Sequence, residues 1–315
     1  MIITLTPNPS IDRAYDLTTL VPGEVNRSHA SHVDAGGKGI NVSRGLHLNG
    51  VETTAVMPYS GPDGDLLVSL LSAADISVLP VCGQGDTRSN ITLVEESGST
   101  TKINAPGPIL TETTLNGILK TVADVLHAGD IVVGAGSLPA GAPDDLYVQL
   151  AQVAAAKGGQ LVLDTSGTPL ATAVAAGGLA LIKPNEDELG ELVGRTLHTV
   201  GEVVTAAREV INQGTEAVLV SLGANGALLV TATNTWWAGG PALIPASTVG
   251  AGDMTLAGYL SVPNADIPDR LKTAVAWGRA AVLLPGTAVP TPDLIDVASV
   301  RLVAEPDPST PLKEL

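Results

Sequence analysis

The stretch STVGAGDMTLAGYL, residues 247–260, combines very small residues with one carboxylate. At a helix N-terminus, the successive backbone N–H groups of Gly250, Ala251 and Gly252 would form an anion cradle that a phosphate can approach closely. Asp253, at the rim, could accept a hydroxyl proton while the cradle stabilises charge on a transferring phosphoryl group. The ordinary alternative is that Asp253 caps a helix after a glycine turn. The stretch leaves both interpretations open.

A second stretch, DAGGKGINVSRGL, places a glycine-rich loop before a predicted helix. Gly36 and Gly37 would allow the backbone to approach a polyhydroxy ligand, and Lys38 adds positive charge. The amide of Asn41 can both donate to and accept from sugar hydroxyls. Asp12, in NPSID, follows the first predicted strand, where open α/β sheets hold ligands. The alternatives are an ordinary strand-to-helix loop and a turn-forming aspartate.

Composition limits the partners of this site. The 315 residues include 32 acidic and 16 basic side chains, giving a formal charge of −16 that repels nucleic acid and anionic membrane surfaces. A phosphorylated ligand must therefore be small and bound by a local group of cations or N–H donors. The single cysteine cannot form an internal disulfide, and neither a basic leader nor an uninterrupted apolar span is visible. We expect a cytoplasmic protein without nucleic-acid or membrane partners.

Short aliphatic runs alternate with longer amphipathic ones, which is typical of βαβ units and a mainly parallel sheet. Aromatic residues make up only 2% of the chain, so the core must consist of aliphatic layers. Strands are predicted at 2–6, 53–57, 130–133, 161–164, 181–183 and 217–221. Helices are predicted at 39–49, 64–74, 111–126, 144–157, 186–193, 201–213, 254–259 and 268–284. The fold class is α/β.

Two segments, about 13–34 and 87–104, depart from this rhythm and have the alternation and turns of antiparallel strands. They predict a small sheet that projects from the α/β body and covers a site or pairs with another subunit. A decorated edge of the main sheet is an equal alternative. The C-terminal residues 305–315 are expected to be loosely tethered.

Together these stretches resemble the phosphofructokinase-B branch of the ribokinase-like sugar kinases. GGKGINVS is similar to the N-terminal signature of that family and STVGAGDMTLAGY to its C-terminal one. Between them, GEVNR, TRSNI, GSLPAG, DTSG, KPNEDEL and SLGANGA follow in the order of the family. The resemblance covers essentially the whole chain and is strongest to the subgroup acting on phosphorylated ketohexoses, 1-phosphofructokinase and tagatose-6-phosphate kinase.

The resemblance implies one ribokinase-like kinase domain over residues 1–315, with a three-layer α/β body, a mainly parallel central sheet and a small β-sheet lid. It implies ATP as phosphoryl donor, Mg²⁺ as cofactor and a phosphosugar as acceptor. Asp253 would be the catalytic base, and Gly250, Ala251 and Gly252 the anion hole. The implied substrate-binding residues are Asp12, Arg27, Gly36, Gly37, Lys38, Asn41, Arg88, Asn90 and Ser137.

For the nucleotide, the resemblance implies Lys183, Asn185, Ser221, Gly223, Gly226 and Gly278. Asn185 and Glu188 match an N-x-x-E pattern that organises Mg²⁺ through water, which suits a cation that dehydrates reluctantly. The residues themselves predict a hairpin, because Asn225-Gly226 separates the apolar runs AVLVSL and ALLVT.

The resemblance favours phosphorylation of fructose 1-phosphate to fructose 1,6-bisphosphate. The alternatives are a tagatose-6-phosphate kinase, a 6-phosphofructokinase, and a non-catalytic sugar-phosphate sensor. A nucleoside kinase is disfavoured, because Arg27 and Arg88 suit an acceptor that already carries a phosphate. Met254 departs from the pattern, since many relatives carry Ser after the catalytic Asp. We also expect a homodimer formed through the lid.

Overall fold

Fourteen strands and nine α-helices make up the chain in a computed structural model that describes residues 1–315. The strands are β1 (Ile2–Leu5), β2 (Ser10–Leu17), β3 (Ala30–Gly36), β4 (Thr53–Tyr59), β5 (Ser77–Cys82), β6 (Arg88–Glu95), β7 (Thr100–Ile103), β8 (Ile131–Ala135), β9 (Gln160–Asp164), β10 (Leu179–Ile182), β11 (Thr215–Ser221), β12 (Ala227–Thr231), β13 (Thr235–Gly239) and β14 (Arg301–Ala304). The helices are α1 (Lys38–Leu48), α2 (Gly61–Ala73), α3 (Glu112–Val125), α4 (Leu146–Ala156), α5 (Gly167–Ala176), α6 (Glu186–Val193), α7 (Val200–Ile211), α8 (Ala251–Ser261) and α9 (Ile267–Val282).

Ten strands form one large sheet in the order β14-β13-β12-β11-β10-β9-β8-β1-β4-β5. In this spatial order, all neighbouring strands from β11 across to β5 pair in parallel. Strands β11, β12, β13 and β14 pair antiparallel and extend the sheet on the other side. This pairing confirms the mainly parallel sheet and the predicted hairpin of β11 and β12. The carboxyl ends of the parallel strands lie at one edge of the sheet, where ligands bind in open α/β folds.

Helices cover both faces of the large sheet. One apolar cluster of 34 buried residues joins the sheet to α3, α4, α5, α6 and α7, and another of 24 joins the opposite face to α1, α8 and α9. Successive strand residues alternate between the clusters, as when Ile2 points to one and Ile3 to the other. The predicted three-layer α/β architecture is confirmed. None of the helices combines the length and apolar character needed to cross a bilayer.

A second sheet has the order β3-β2-β6-β7 and does not pair with the large one. The hairpins β2–β3 and β6–β7 are antiparallel, while β2 and β6 run parallel to each other. We call these four strands the small sheet. Its existence confirms the expectation of a separate sheet, so the alternative of a decorated edge is wrong. Helix α2 packs behind it in a third apolar cluster.

The C-terminal residues are more firmly attached than expected. Pro311 forms an isolated bridge with Thr199, and Leu312 is buried in the larger cluster. The backbone N–H of Leu312 also donates to the carbonyl of His198 at 2.9 Å. The prediction of a loose tail was wrong because a run rich in proline and charge conceals one apolar anchor.

Candidate active site

Helix α8 begins with an open anion cradle. Gly250 is its N-cap with φ 78°, a left-handed conformation that favours glycine, and Asp253 lies in the first helical turn. The alternative that Asp253 caps the helix is therefore wrong. The N–H groups of Ala251 and Gly252 have no protein acceptor, as expected for the first turn of a helix. A Cβ at Gly252 would lie 3.3 Å from Nζ of Lys183, so a cation borders the cradle.

The carboxylate of Asp253 is buried, with 7% of the residue exposed. Asn41 on α1 donates from Nδ2 to its Oδ2 at 2.8 Å. Burial, followed by repulsion from Asp164, raises the pKa of Asp253 to about 6, although Asn41, Lys38 and Lys183 oppose the rise. A carboxylate with this pKa is ionised at neutral pH and retains proton affinity, which suits a general base.

Asp164, at the carboxyl end of β9, holds two cations beside this base. Nζ of Lys38 lies 2.8 Å from its Oδ1, and Nζ of Lys183 lies 3.3 Å from its Oδ2. Burial opposes ionisation of Asp164, but attraction from Lys183 and Lys38 outweighs it and keeps the pKa of Asp164 below its ordinary value. Burial likewise opposes charge on Lys38, but Asp164 outweighs it and raises the pKa of Lys38.

Asp164 was absent from the predicted site residues, although the stretch DTSG that contains it contributed to the resemblance. The available signal was its position as the last residue of a predicted strand, at the sheet edge that binds ligands. Its role as a counter-ion for Lys38 and Lys183 depends on contacts between distant segments, and no local pattern predicts them.

Asp12 and Asn90 occupy a polar corner of the small sheet. They are register partners on β2 and β6, and Nδ2 of Asn90 donates to Oδ1 of Asp12 at 3.0 Å. Ser10 also donates to that Oδ1 at 2.7 Å, which leaves Oδ2 without a protein donor. A Cβ at Gly36 would overlap the Asp12 carboxylate, so a larger residue there would displace this carboxylate. The free oxygen can accept a ligand hydroxyl.

Arg88 lies beside this corner at the start of β6. Its Nη1 donates to the carbonyl of Ala105 at 3.0 Å and its Nη2 to that of Asn8 at 2.9 Å. Burial lowers the pKa of Arg88 and the charge of Asp12 counteracts this. Two carbonyls thus fix the guanidinium, while its Nε has no partner in the protein.

Two predicted acceptor-binding residues are not joined to this group by any contact. Arg27 is exposed in the connection between β2 and β3 and forms neither an ion pair nor a hydrogen bond. Ser137 is exposed in the loop after β8, although the preceding Gly136 carbonyl is fixed by Tyr147 and Thr165. Gly37 is the N-cap of α1, directly before Lys38.

Asn185 and Glu188 form a capping box at the start of α6. The backbone N–H of Glu188 donates to Oδ1 of Asn185 at 2.7 Å, and that of Asn185 donates to Oε2 of Glu188 at 2.9 Å. Oε1 of Glu188 has no protein donor, so this carboxylate could still accept a hydrogen bond from metal-bound water. No cluster of three or more metal-ligating side chains is present. The donor set therefore fits outer-shell rather than direct coordination.

Three of the four remaining nucleotide candidates lie next to a strand end. Ser221 forms a bridge with Asn185, and Gly223 and Gly226 belong to the turn between β11 and β12. Gly278 is buried on α9, where a Cβ would overlap the hydroxyl of Thr255 on α8. The structure therefore places Gly278 in the packing of α8 against α9, behind the cradle.

Met254 points away from the cradle. Only 2% of it is exposed, and it belongs to the apolar cluster that includes α1 and α8. A Cβ at Gly45 would lie 2.9 Å from its Sδ. The Met254 side chain thus fills the space that the glycine on α1 leaves open, which accounts for an apolar residue after Asp253.

A carbohydrate kinase family model, described as pfkB family carbohydrate kinase, matches residues 5–294. The chain belongs to the pfkB carbohydrate kinase family. Family membership confirms the enzyme class expected from the sequence and implies ATP as the phosphoryl donor. The group around Asp253, Asp164 and Asp12 is thus the candidate active site of a pfkB kinase.

Relatives of this chain include proteins named 1-phosphofructokinase and others named 6-phosphofructokinase isozyme 2. A 1-phosphofructokinase from Xanthomonas campestris is 40% identical over 88% of this pfkB kinase and 90% of its own length. The ATP-dependent 6-phosphofructokinase isozyme 2 of Escherichia coli is 37% identical over 91% and 94%. A crystal structure of phosphofructokinase-2 from E. coli with substrates and products has a TM-score of 0.89 at 36% identity, covering 93% of this chain and 96% of that one. Arabidopsis thaliana ribokinase, at 20% identity and a TM-score of 0.73, shares the fold.

Proposed function

We propose that this kinase transfers the γ-phosphoryl group of ATP to the free C6 hydroxyl of fructose 1-phosphate, which gives fructose 1,6-bisphosphate. The observation that supports this proposal is the buried Asp253 in the first turn of α8, beside unpaired N–H groups. A base at an anion cradle suits phosphoryl transfer, which depends on positioning and charge stabilisation. A sugar-phosphate sensor would have no need of such a base.

In this mechanism the acceptor sugar binds between the small sheet and α1. Oδ2 of Asp12 accepts one sugar hydroxyl, and Asn90 keeps that carboxylate in place. The hydroxyl that reacts lies against Asp253, which removes its proton as the phosphoryl group transfers. The N–H groups of Ala251 and Gly252 then bind the oxygens on which negative charge develops.

Lys38 and Lys183 provide the fixed positive charge of the site. Both are held by Asp164, so little reorganisation is needed when a polyphosphate arrives. The fit of Glu188 to metal-bound water supports Mg²⁺ as the cofactor, which would neutralise charge on the phosphates of ATP. These contacts concentrate cations at one point of a protein with a net charge of −16.

Arg88 is proposed to bind the phosphate already present on the sugar. Its guanidinium is fixed at the edge of the polar corner, and a planar cation suits bidentate contact with phosphate. Arg27 is proposed to contribute once the connection between β2 and β3 approaches the ligand. Closure of the small sheet over the sugar would exclude water and limit hydrolysis of ATP.

The acceptor specificity is tested by kcat/KM with fructose 1-phosphate, fructose 6-phosphate and tagatose 6-phosphate. The proposal expects the highest value with fructose 1-phosphate. A higher value with fructose 6-phosphate would support a 6-phosphofructokinase, the name of the E. coli relative, and one with tagatose 6-phosphate would support that kinase. Binding of a phosphosugar without ADP formation from any of the three would identify a sensor.

We further propose a cytoplasmic location and a homodimer formed through the small sheet. ATP as donor supports the location. Apolar side chains that remain exposed on the small sheet, Val33 on β3 and Ile103 on β7, support the dimer.

A further inference from the structure

Arg44 lies one helical turn after Asn41 on α1, with 19% of its side chain exposed. Its Nη1 donates to Oδ1 of Asn41 at 3.3 Å, to the carbonyl of Ala35 at 3.5 Å and to Oγ1 of Thr287 at 3.5 Å. Its Nη2 lies 3.9 Å from Oδ1 of Asp34. The guanidinium is therefore placed against the residue that holds the base.

These contacts fix the direction of the Asn41 amide. A guanidinium can only donate hydrogen bonds, and an ionised carboxylate can only accept them. Asn41 must therefore present its oxygen to Arg44 and its NH₂ group to Asp253, as the distances of 3.3 Å and 2.8 Å show. A flipped amide would place its oxygen against the carboxylate and its NH₂ group against the cation.

Arg44 also connects the base to the small sheet and to the cradle. Asp34 belongs to β3, so the same guanidinium contacts the sheet that carries Asp12. Thr287 borders Gly250, since a Cβ at that glycine would lie 3.8 Å from Cγ2 of Thr287. Arg44 therefore contacts the small sheet directly, and reaches the base through Asn41 and the cradle through Thr287.

We propose that Arg44 is a positioning residue, which orients Asn41 so that Asp253 is held for proton abstraction. The charge of Arg44 polarises the Asn41 amide and strengthens its hydrogen bond to the carboxylate. This inference rests on the proposed function, because it concerns the same base. In this arrangement Arg44 touches neither substrate.

The test is a double-mutant cycle on turnover of fructose 1-phosphate and ATP. Arg44→Met should lower kcat about 10-fold, the scale of one hydrogen bond to a charged group, and leave KM for the sugar within about threefold. In an Asn41→Ala background, Arg44→Met should change kcat by less than about twofold, because the group through which it acts is gone. Arg44→Lys, which keeps a cation that can only donate, should recover most of the loss.

Arg13→Met is the matched control. It removes another partly buried guanidinium, which donates to Asp63 and Ser89 behind the small sheet. Neither of these partners contacts Asn41 or Asp253. We expect its kcat to stay within about twofold of the wild type. An equal loss in Arg13→Met would assign the effect to general loosening of the small sheet and overturn the proposal.

Two further results would overturn it. If the fold-losses in kcat of Arg44→Met and Asn41→Ala multiply in the double variant, the two residues act independently. If Arg44→Met raises KM for the sugar strongly at unchanged kcat, Arg44 is a substrate ligand. Circular dichroism and the melting temperature identify a variant that has unfolded. If Arg44→Met is unfolded, the double-mutant cycle is measured with Arg44→Lys in its place. A wild type that forms no ADP with any of the three sugar phosphates would overturn the proposed function and this inference with it, whereas the results above would overturn this inference alone.

Discussion

Asp253 is suited to the proposed role of a base because its position disfavours the negative charge of its carboxylate. Burial and repulsion from Asp164 raise its pKa to about 6, which is close enough to neutrality for the proposed role as a base. Two lysines on Asp164 prevent a larger rise, because they offset the negative charge next to it. The residue thus keeps proton affinity without losing its charge at pH 7.

A pH profile follows directly from this value. Below about pH 6 Asp253 is protonated and cannot act as a base, so kcat/KM for the sugar phosphate should fall about tenfold for each further pH unit. The measurement is a steady-state profile from pH 5 to 8, corrected for titration of the sugar phosphate. A profile that stays flat down to pH 5 would exclude Asp253 as the base.

Replacement by an isosteric amide separates activity from stability. Asp253→Asn should lower kcat by about 10³-fold, within the range for loss of a general base. Because folding raises this pKa above its ordinary value, the ionised carboxylate opposes folding above pH 6, and the cost disappears below about pH 4. The variant should therefore melt at the same or a higher temperature than the wild type at pH 8.

The exposed Asp65 on α2 supplies the control for this experiment. Asp65→Asn removes one negative charge from the surface and should leave both kcat and the melting temperature nearly unchanged. A marked loss of stability at pH 8 in Asp253→Asn alone would contradict the electrostatic interpretation.

Among the elements, α1 and α8 are the pair that must stay in register. Helix α1 carries Lys38 and Asn41, α8 carries Asp253, and Gly45 and Met254 fit together between them. Close packing of this kind transmits small changes of volume, since interiors have few voids.

Gly45→Ala tests this packing. Its methyl group would press on Sδ of Met254, and we expect a loss of about 1–3 kcal/mol in the free energy of unfolding. The same substitution should cost less in a Met254→Ala background, because the space is then open. Urea titrations of the four proteins give the coupling, and strictly additive losses would refute the size complementarity.

The sequence predicted the βαβ rhythm, because aliphatic runs at strand positions and amphipathic helices are local signals. It also predicted Asp12, Asn41 and Asp253, whose stretches carry recognisable patterns. Asp164 was missed because its role depends on a distant partner, Lys38, which is separated from it by 126 positions. Arg44 was missed because its role depends on the contact of Asn41 with Asp253, which are separated by 212 positions. Helix α5 was missed because it contains no charged residue and so lacks a clear polar face. Strand β5 was missed because it contains a proline.

At the scale of the whole molecule, the proposed dimer depends on two features, the acidic surface and the small sheet. A net charge of −16 disfavours self-association, so a dimer needs a specific apolar contact. The exposed apolar residues on the small sheet offer one. Light scattering should therefore give twice the 31.8 kDa of the chain.

The substitution Val33→Glu on β3 should shift this protein towards the monomer, because it places a charge on the proposed contact. Leu294→Glu, at a comparably exposed position outside the small sheet, is the matched control and should remain dimeric. A wild type that scatters as a monomer, or two variants that behave alike, would exclude this interface.

Strand β1 lies in the interior of the large sheet, between β4 and β8, although both of these strands follow it in the chain. Its two neighbours are translated much later, so the sheet closes only through contacts between distant parts of the chain, which is slow. Asn41 precedes Asp253 by 212 positions. In the proposed mechanism, a nascent chain therefore cannot consume ATP until α8 has been translated and docked on α1.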